Sequence, residues 1–413
     1  MISKFQPASS AFVWIWLPNE TTPIVAGRIK ERDGKCVFEY STNYRHHPKA
    51  IALSPFELPL QEAVFVPQGM NVVHSCLRDA EPDAWGRRLI DHQYGLFGAH
   101  ELDYMLLSGT NRIGGIDFQS SSETYCPRDN TDVTLNELLL MTDYIEKNKP
   151  LPKELEPALL HGTSIGGARP KALIRDKETG KEYIAKFSLS TDRYNLIKAE
   201  YIAMQLAKIV GISVPAVHLK TILGKDVLFI ERFDRILHEG QITRKLMLSA
   251  LSLLGLNELE ARYASYSDFA AVIRKSFLHS REELKELYRR LAFNVLIGNT
   301  DDHARNHSAF WDGQHLRLTP AYDLLPQMRS GFEATQAMAI EGIEGNLSKL
   351  KNILSVCEHF QLTQAVARSL MDEMIEAIRI HWPLVCDEAG LSRLERQRLW
   401  EQAVFNPFCF QGF

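Results

Sequence analysis

The sequence predicts an α+β protein in which a sheet-rich lobe precedes a helical lobe, with a cleft between them. Short apolar segments, punctuated by turn residues, recur along much of the chain up to about residue 235. From about Leu246 onward helical periodicity dominates, interrupted only between Asn299 and Pro326. Strands that come first and helices that come later are the order expected of an α+β architecture.

Length and composition narrow the classes of protein. The 413 residues leave room for two or three domains, and 45% hydrophobic with 24% charged residues is ordinary for a soluble protein. A net charge of -4 excludes an overall basic surface for nucleic acid. The six scattered cysteines form no CxxC pair, which argues against a zinc site and favours a reducing cytoplasm. The apolar stretch from Ala11 to Leu17 is too short to span a membrane, so we expect a cytoplasmic protein without a membrane partner.

The first part of the chain reads as strands followed by helices. "FVWIWL", "IVAGRIK" and "KCVFEYS" predict strands, and the Asp33-Gly34 turn between the last two predicts a hairpin. Residues 76–107 are predicted to be helical, with Gly95 closing one of the helices. The glycine-rich "GTNRIGGIDF" then leads into a polar stretch, residues 119–132, that indicates a loop or a domain boundary.

The middle of the chain predicts a second sheet. After a helical stretch over about 135–147, "GTSIGGARPKALIRD" is expected to be strand, turn and strand, with "KEYIAKFSL" as the next strand. A helix over about 195–210 should end at Gly211. "VPAVHLKTI" and "DVLFIERFD" predict two more strands, joined by a turn at Gly224-Lys225.

The stretch "GTSIGGARPK", from Gly162 to Lys171, raises the possibility of a phosphate-binding loop. Glycines let a backbone approach a phosphate, and successive N–H groups can hold it. Gly162 and Gly167 have the spacing of a P-loop, but Ala168-Arg169 stands where Lys-Ser/Thr is required. On its own, this stretch favours a tight hairpin without a ligand.

Lys186 and Glu200 form a second pattern. A lysine on a strand that follows a glycine-rich segment matches the way kinases hold ATP phosphates, although a solvated strand lysine is the usual alternative. Glu200 shares a helix face with apolar residues, and a buried glutamate would need a cation such as Lys186. A surface-exposed Glu200 is the other interpretation.

The segment "NTDDHARN", residues 299–306, carries the most specific spacing. Asp301 and Asn306 match the D-x4-N pattern of a kinase catalytic loop, in which the aspartate accepts a hydroxyl proton and the asparagine ligates Mg²⁺. Asp323, between apolar residues in "LTPAYDLLP", suits a second metal ligand, whereas a lone aspartate of this kind is also common as a helix N-cap. The ordered series of these features is much less probable by chance than any one of them.

Together these segments resemble the HipA family of bacterial serine/threonine kinases, the toxin halves of toxin–antitoxin pairs. The matching segments run from residue 78 to 326 in family order, and "ERFDR", "NTDDHARN" and "PAYDL" are the most specific. The resemblance implies a bilobal protein-kinase-like fold with a sheet-rich N-lobe, a helical C-lobe and an extra N-terminal β-containing module. The expected boundaries are 1–130 for that module, 131–235 for the N-lobe and 236–413 for the C-lobe.

The resemblance also implies roles for individual residues. Asp301 matches the catalytic aspartate, and Asn306 and Asp323 match the Mg²⁺ ligands. His303 stands where ordinary protein kinases carry a lysine near the γ-phosphate, and the two interpretations of it are a phosphate contact and a brace of the loop. Ser164 matches the serine that family members autophosphorylate. Glu231 and Phe233 fall on the hinge segment, whose backbone groups are expected to meet the adenine. The positions expected to bind ATP and its Mg²⁺ are Ser164, Ile165, Gly166, Gly167, Lys171, Lys186, Glu200, Glu231, Phe233, Asn306 and Asp323.

The partners implied by the resemblance are a HipB-like helix-turn-helix antitoxin, DNA only through that antitoxin, and a protein substrate of the aminoacyl-tRNA synthetase class. Arg169 and Pro170 depart from the usual loop, which puts the details of loop closure in question. Two alternatives stand beside an active protein kinase: a catalytically weak co-repressor and a small-molecule kinase. The complete set of Lys186, Asp301, Asn306 and Asp323 favours catalysis over a dead scaffold.

Overall fold

The computed structural model describes residues 7–96, 98–128 and 133–413. The predicted domain boundary near residue 130 and the end of the polar stretch lie outside the described residues. The chain divides into two units, each of which is built from several segments. The first unit contains Met1–Phe187, Thr221–Leu248 and Trp311–Gln314, and the second contains Ser188–Lys220, Ser249–Phe310 and His315–Phe413.

An antiparallel sheet begins the first unit. Its strands are β1 (Ser10–Ile15), β2 (Ile24–Arg32), β3 (Lys35–Tyr40), β4 (Val64–Phe65) and β5 (Ile116–Gln119), in the order β4-β3-β2-β1-β5. Asp33 and Gly34 both have positive φ (52° and 75°), as a two-residue turn between right-twisted strands requires. The predicted hairpin is therefore confirmed, and β5 brings the end of "GTNRIGGIDF" beside β1.

Helices surround the strands of this unit. They are α1 (Thr42–Arg45), α2 (Ser75–Arg78), α3 (Ala84–Tyr94), α4 (Glu101–Leu107), α5 (Leu135–Glu146) and α6 (Glu156–Thr163). α3 ends at Gly95, whose φ of 64° is the left-handed conformation of a helix C-terminus, so this prediction is also confirmed.

A second sheet follows in the same unit. Its strands are β6 (Lys171–Arg175), β7 (Glu182–Phe187), β8 (Val217–Ile222) and β9 (Lys225–Glu231), of which β8 begins in the second unit. β7 pairs antiparallel with both β6 and β9. Buried side chains from α3, α5, α6 and these strands form one core, and its largest members include Trp85, Leu89, Met141, Phe187 and Phe229.

The strand predicted at the start of "GTSIGGARPKALIRD" is wrong, because Gly162 and Thr163 are the last residues of α6. Ala158 and Leu159 of that helix are buried in the core, so packing decides the conformation where the local glycines indicated a hairpin. The glycine-rich segment therefore joins a helix to a strand, not one strand to another.

The rest of the described chain adds five short strands, which are shared between the units, and the helices, which belong to the second unit. The strands are β10 (Arg235–His238), β11 (Gln241–Arg244), β12 (Leu246–Ser249), β13 (Ser308–Trp311) and β14 (Leu316–Leu318). The helices are α7 (Leu196–Ile209), α8 (Ala250–Leu253), α9 (Tyr266–Ser276), α10 (Ser280–Ile297), α11 (Leu350–Ser355), α12 (Gln364–Glu388) and α13 (Arg393–Gln402). Among the described residues, no helix is both long and apolar enough to cross a membrane.

Candidate functional site

The glycine-rich segment carries the predicted phosphoacceptor in a buried position. Ser164 follows the last residue of α6, is 1% exposed, and donates a hydrogen bond from Oγ to the Asn111 carbonyl at 3.4 Å. Gly167 has a φ of 102°, a backbone conformation that side-chain-bearing residues rarely adopt. The loop from Ser164 to Gly167 therefore has a defined path in which the serine hydroxyl faces protein rather than solvent.

Three hydrogen bonds hold the far end of this loop. The Asp83 carboxylate accepts a hydrogen bond from the backbone N–H of Gly167 at 2.5 Å. The backbone N–H of Trp85 donates to the Gly167 carbonyl at 3.3 Å. Lys171 Nζ donates to the Gly166 carbonyl at 2.5 Å. Asp83 lies in the segment "RDAEPDAW" and is distant in sequence from the loop, so no local pattern could have revealed this contact.

Lys171 and Lys186 are direct partners across the β6–β7 strand pair. Side chains at directly opposed positions project from the same face of a sheet, and like charges placed there destabilise the pair. Lys171 is only 5% exposed, which makes the positive potential of this face costly unless anionic groups lie near it. The structure thus brings together two of the predicted phosphate-binding residues.

The predicted hinge lies at the end of β9. Glu231 is half-buried and pairs with Lys181 at 2.9 Å, while Phe233 is also half-buried. The intervening Arg232 donates its backbone N–H to the Glu182 carbonyl at 2.9 Å. This hydrogen bond continues the β7–β9 ladder beyond its last paired residues and gives the segment a defined backbone path.

A buried ionic cluster begins within the hinge, at Arg232, and continues directly after it in the "ERFDR" motif. Asp234 pairs with Arg232 at 2.7 Å and with Arg235 at 2.9 Å, and all three side chains are buried. The Gly114 N–H also donates to Asp234, at 2.7 Å, and Arg232 donates to the Arg112 carbonyl at 2.7 Å. The cluster therefore ties "GTNRIGG" of the N-terminal region to the hinge.

The two arginines determine the protonation of Asp234. Burial alone would raise the pKa of this carboxyl, but Arg232 and Arg235 together hold the pKa well below the ordinary aspartate value. The carboxylate is thus ionised in the folded protein at neutral pH. The sequence marks "ERFDR" as specific to the family, and the structure shows that Arg232, Asp234 and Arg235 of this motif pair with one another in the interior.

In the second unit, the predicted catalytic loop is anchored at its start. α10 ends at Gly298, and Asn299 Nδ2 donates to Asn294 Oδ1 of that helix at 3.1 Å. The Asn299 carbonyl accepts from Gln336 Nε2 at 2.9 Å, and the Thr300 carbonyl accepts from the Ala337 N–H at 3.0 Å. The backbone that precedes Asp301 is therefore fixed by hydrogen bonds on both sides.

The two adjacent acids of this loop face different environments. Asp301 is exposed, whereas Asp302 is 1% exposed. Asp302 accepts a hydrogen bond from the Tyr266 hydroxyl and lies 3.0 Å from Nε2 of His307. Burial, and then the adjacent Asp302 carboxylate, raise the pKa of Tyr266 well above its usual value, so the phenol is a donor. Of the two acids, Asp301 is thus the one whose side chain is exposed to solvent.

Arg305 and Asn306 complete the loop in a 3₁₀ turn from Ala304 to Asn306. Asn306 Nδ2 donates to the Asp301 carbonyl at 3.2 Å, which leaves its Oδ1 as the acceptor that a hard cation prefers. Arg305 Nε donates to Glu258 at 2.7 Å, a contact that explains a residue for which the sequence indicated no role. His303 is half-buried and its carbonyl accepts from the Asn306 N–H at 2.8 Å.

Asp323 does not cap a helix, because the next helix begins only at Leu350. Its φ of 54° places a non-glycine residue in the left-handed region, a strained conformation typical of functional positions. The neighbouring Tyr322 hydroxyl donates to the Arg305 carbonyl at 2.7 Å. The segments that carry Asn306 and Asp323, the two predicted metal ligands, are therefore in contact.

Glu200 lies on α7 and is 5% exposed, on a face it shares with the buried Ala203 and Ala207. The apolar stripe is as predicted, and the surface-exposed interpretation of this glutamate is wrong. Its predicted pairing with Lys186 joins residues of different units and stays a prediction.

Comparisons with known proteins give the class of fold. The chain has the fold of HipA as seen in a solved complex of HipA, HipB and operator DNA from Shewanella oneidensis, with a TM-score of 0.71, 19% identity and 94% of each chain covered. The predicted α+β, kinase-like fold class is confirmed by this match and by the several separate sheets.

Two family models then identify the family. The HipA N-terminal domain matches residues 17–119, and the HipA-like C-terminal domain matches residues 163–382, more than half of the chain. The chain belongs to the HipA family, and the predicted resemblance is confirmed. The chain is 28% identical over 204 residues to the serine/threonine-protein kinase toxin HipA of Shewanella oneidensis. This alignment spans 43% of this chain and 46% of that protein.

Proposed function

We propose that this protein is an ATP- and Mg²⁺-dependent protein serine/threonine kinase and the toxin of a toxin–antitoxin pair. The observation that carries the proposal is the loop at 299–306, in which Asp301 is exposed on a fixed backbone while Asp302 is buried as a brace. Membership of the HipA family supports the same activity.

The first unit contributes the groups that bind the nucleotide. Lys171 and Lys186, opposed on one face of the sheet, neutralise phosphate charge, and the backbone of Ser164–Gly167 approaches the phosphates. The backbone of Glu231 to Phe233 meets the adenine. The ionic cluster after the hinge keeps that backbone in place when the nucleotide binds.

The second unit contributes the groups that act on the substrate hydroxyl. Asp301 orients the hydroxyl and accepts its proton as the oxygen forms a bond to the γ-phosphorus and the bond to the β-phosphate oxygen breaks, releasing ADP. We assign His303 to the γ-phosphate and count Glu200 among the nucleotide-binding residues. Asn306 Oδ1 and the Asp323 carboxylate are hard oxygen donors that fit Mg²⁺, which when bound offsets the negative charge of the phosphates.

The partners follow from the family and from the neighbouring structure, in which HipA is assembled with HipB and operator DNA. We propose a HipB-like helix-turn-helix antitoxin, contact with DNA through that antitoxin, and action in the cytoplasm. The substrate is a serine or threonine of a protein involved in translation, of the aminoacyl-tRNA synthetase class, and Ser164 is an autophosphorylation site.

Transfer of labelled phosphate from [γ-³²P]ATP to a panel of purified synthetases tests this function. Asp301→Asn should lower the rate by at least about 100-fold, the usual contribution of a positioned general base. Asp312→Asn is the matched control, because Asp312 is exposed and an asparagine keeps the side-chain oxygen that accepts the Gln314 N–H at 2.9 Å. Equal transfer by Asp301→Asn and the wild type would disprove the mechanism.

A further inference from the structure

Asp83 is placed at the start of α3 but does not cap it. Aspartate is among the preferred residues at this position because its carboxylate normally accepts an N–H of the first helical turn. Here no such bond is made within α3. The carboxylate instead accepts the N–H of Gly167, 84 residues further along the chain, at 2.5 Å.

The same segment holds Gly167 from both sides. The Trp85 N–H donates to the Gly167 carbonyl at 3.3 Å, so the two polar groups of this residue are bound by positions 83 and 85. One residue further, a Cβ on Gly86 would lie 2.5 Å from the Thr163 carbonyl oxygen, which leaves no space between α3 and the start of the loop. The start of α3 therefore contacts both ends of the loop, and Ser164 lies buried between these two contacts.

We propose that Asp83 is a positioning residue that holds the glycine-rich loop in the conformation in which Ser164 is buried, and so controls how often Ser164 becomes accessible. Hydrogen bonds that involve an ionised acceptor are about twice as strong as neutral ones, so the carboxylate is the strong member of the pair of contacts on Gly167. The regulatory part of this inference, control of Ser164 phosphorylation, rests on the proposed kinase function.

The Asp83 carboxylate also accepts a backbone N–H of the kind that binds a phosphate group. A phosphate group that approaches Gly167 therefore competes with Asp83 for the same donor.

Thiol labelling measures accessibility without any nucleotide. Ser164→Cys is made together with Cys126→Ser, since Cys126 is the exposed native cysteine and the other five are buried. Adding Asp83→Asn should accelerate labelling by a small thiol reagent about fivefold or more, because a weaker contact lets the loop open more often. Asp83→Ser should do the same, and both replacements keep a residue that favours the start of a helix.

Asp91→Asn is the matched control on the same helix. It removes the same charge, and an asparagine oxygen can still accept the Tyr104 hydroxyl that Asp91 accepts at 2.9 Å. Its labelling rate should stay within about twofold of the parent, since it lies outside the loop contacts and distant changes act independently. Unchanged labelling in Asp83→Asn and Asp83→Ser, or equal acceleration by Asp91→Asn, would overturn the proposal. Faster labelling in these variants, combined with no phosphate incorporation at Ser164 in protein that retains the serine, would support the role of Asp83 and count against the kinase function instead.

Discussion

The side chains of Asp302 and His307 meet at 3.0 Å in the interior of the second unit, whereas Asp301, the residue before Asp302, is exposed. The Tyr266 hydroxyl donates to Asp302 and lies 3.2 Å from the same histidine nitrogen. The Asp302 carbonyl accepts from the Met338 N–H at 2.9 Å. One acid of the pair thus fixes the loop, while the side chain of the other is exposed to solvent.

Because the two aspartates have different surroundings, we expect their replacement to change the free energy of unfolding by very different amounts. Asp302→Ala should lower the free energy of unfolding by about 3 kcal/mol, because it removes the partner of buried polar groups on Tyr266 and His307. Asp301→Ala should change it by less than about 0.5 kcal/mol, as expected for an exposed side chain. Urea unfolding of both variants measures the difference. Equal losses of stability would contradict the assignment of Asp302 as a brace.

The opposed lysines predict a charge-dependent nucleotide affinity. Lys186→Met should weaken ATP binding by about tenfold or more, since a partly buried charge pairs strongly with phosphate. The affinity of the variant should also fall less steeply with salt concentration, because fewer charges take part. Isothermal titration at two ionic strengths gives both quantities.

Lys181→Met serves as the control, because Lys181 is an exposed lysine just before the same strand and pairs with Glu231 on the surface. The same loss of affinity in both variants would remove the argument for a specific site.

Local rules were enough for many elements of the fold. The Asp33-Gly34 turn, the helix end at Gly95 and the helix that stops before Gly211 depend on backbone conformations that neighbouring residues specify. The segment at Gly162 could not be predicted in this way. Its conformation is decided by the burial of α6 against residues that are distant in sequence.

The candidate site shows the same limit. The residue types and spacing of "NTDDHARN" indicated which chemistry to expect, but not which of the adjacent acids is available. That choice depends on Tyr266, 36 residues before Asp302, and no periodicity connects the two positions. The contact between Asp83 and Gly167 could not be predicted for the same reason, since the two residues lie in different segments of the chain.

The ionic cluster after the hinge predicts a pH-dependent contribution to stability. Asp234→Asn should cost about 3–5 kcal/mol at pH 7, because it leaves Arg232 and Arg235 buried without their carboxylate. The pKa of Asp234 is lowered in the folded state, so its contribution is present above the ordinary aspartate pKa and is lost as the pH falls through the lower folded value. The stability difference between the wild type and the variant should therefore shrink below about pH 4.

Urea unfolding between pH 7 and pH 3 measures this dependence. Asp226→Asn provides a comparison with an aspartate whose carboxylate accepts the exposed Thr221 hydroxyl, and it should show only a small difference at every pH. A difference for Asp234→Asn that grows as the solution becomes acidic would contradict the ionised, arginine-paired state.

Phosphorylation of Ser164 should lower the affinity for ATP. A phosphoserine carries a charge of roughly -1.5 to -2 at pH 7, and the buried position beside Asn111 cannot hold it without a large desolvation cost. We therefore expect the modified loop to leave its position, which removes the backbone that approaches the nucleotide phosphates. Titration of ATP into the phosphorylated and the phosphatase-treated protein compares the two states, with Ser164→Ala taken through the same treatments as the control. Phosphorylation should weaken binding by about tenfold, and Ser164→Ala should bind equally after both treatments. Equal affinity of the two wild-type states would show that the loop does not respond to the charge.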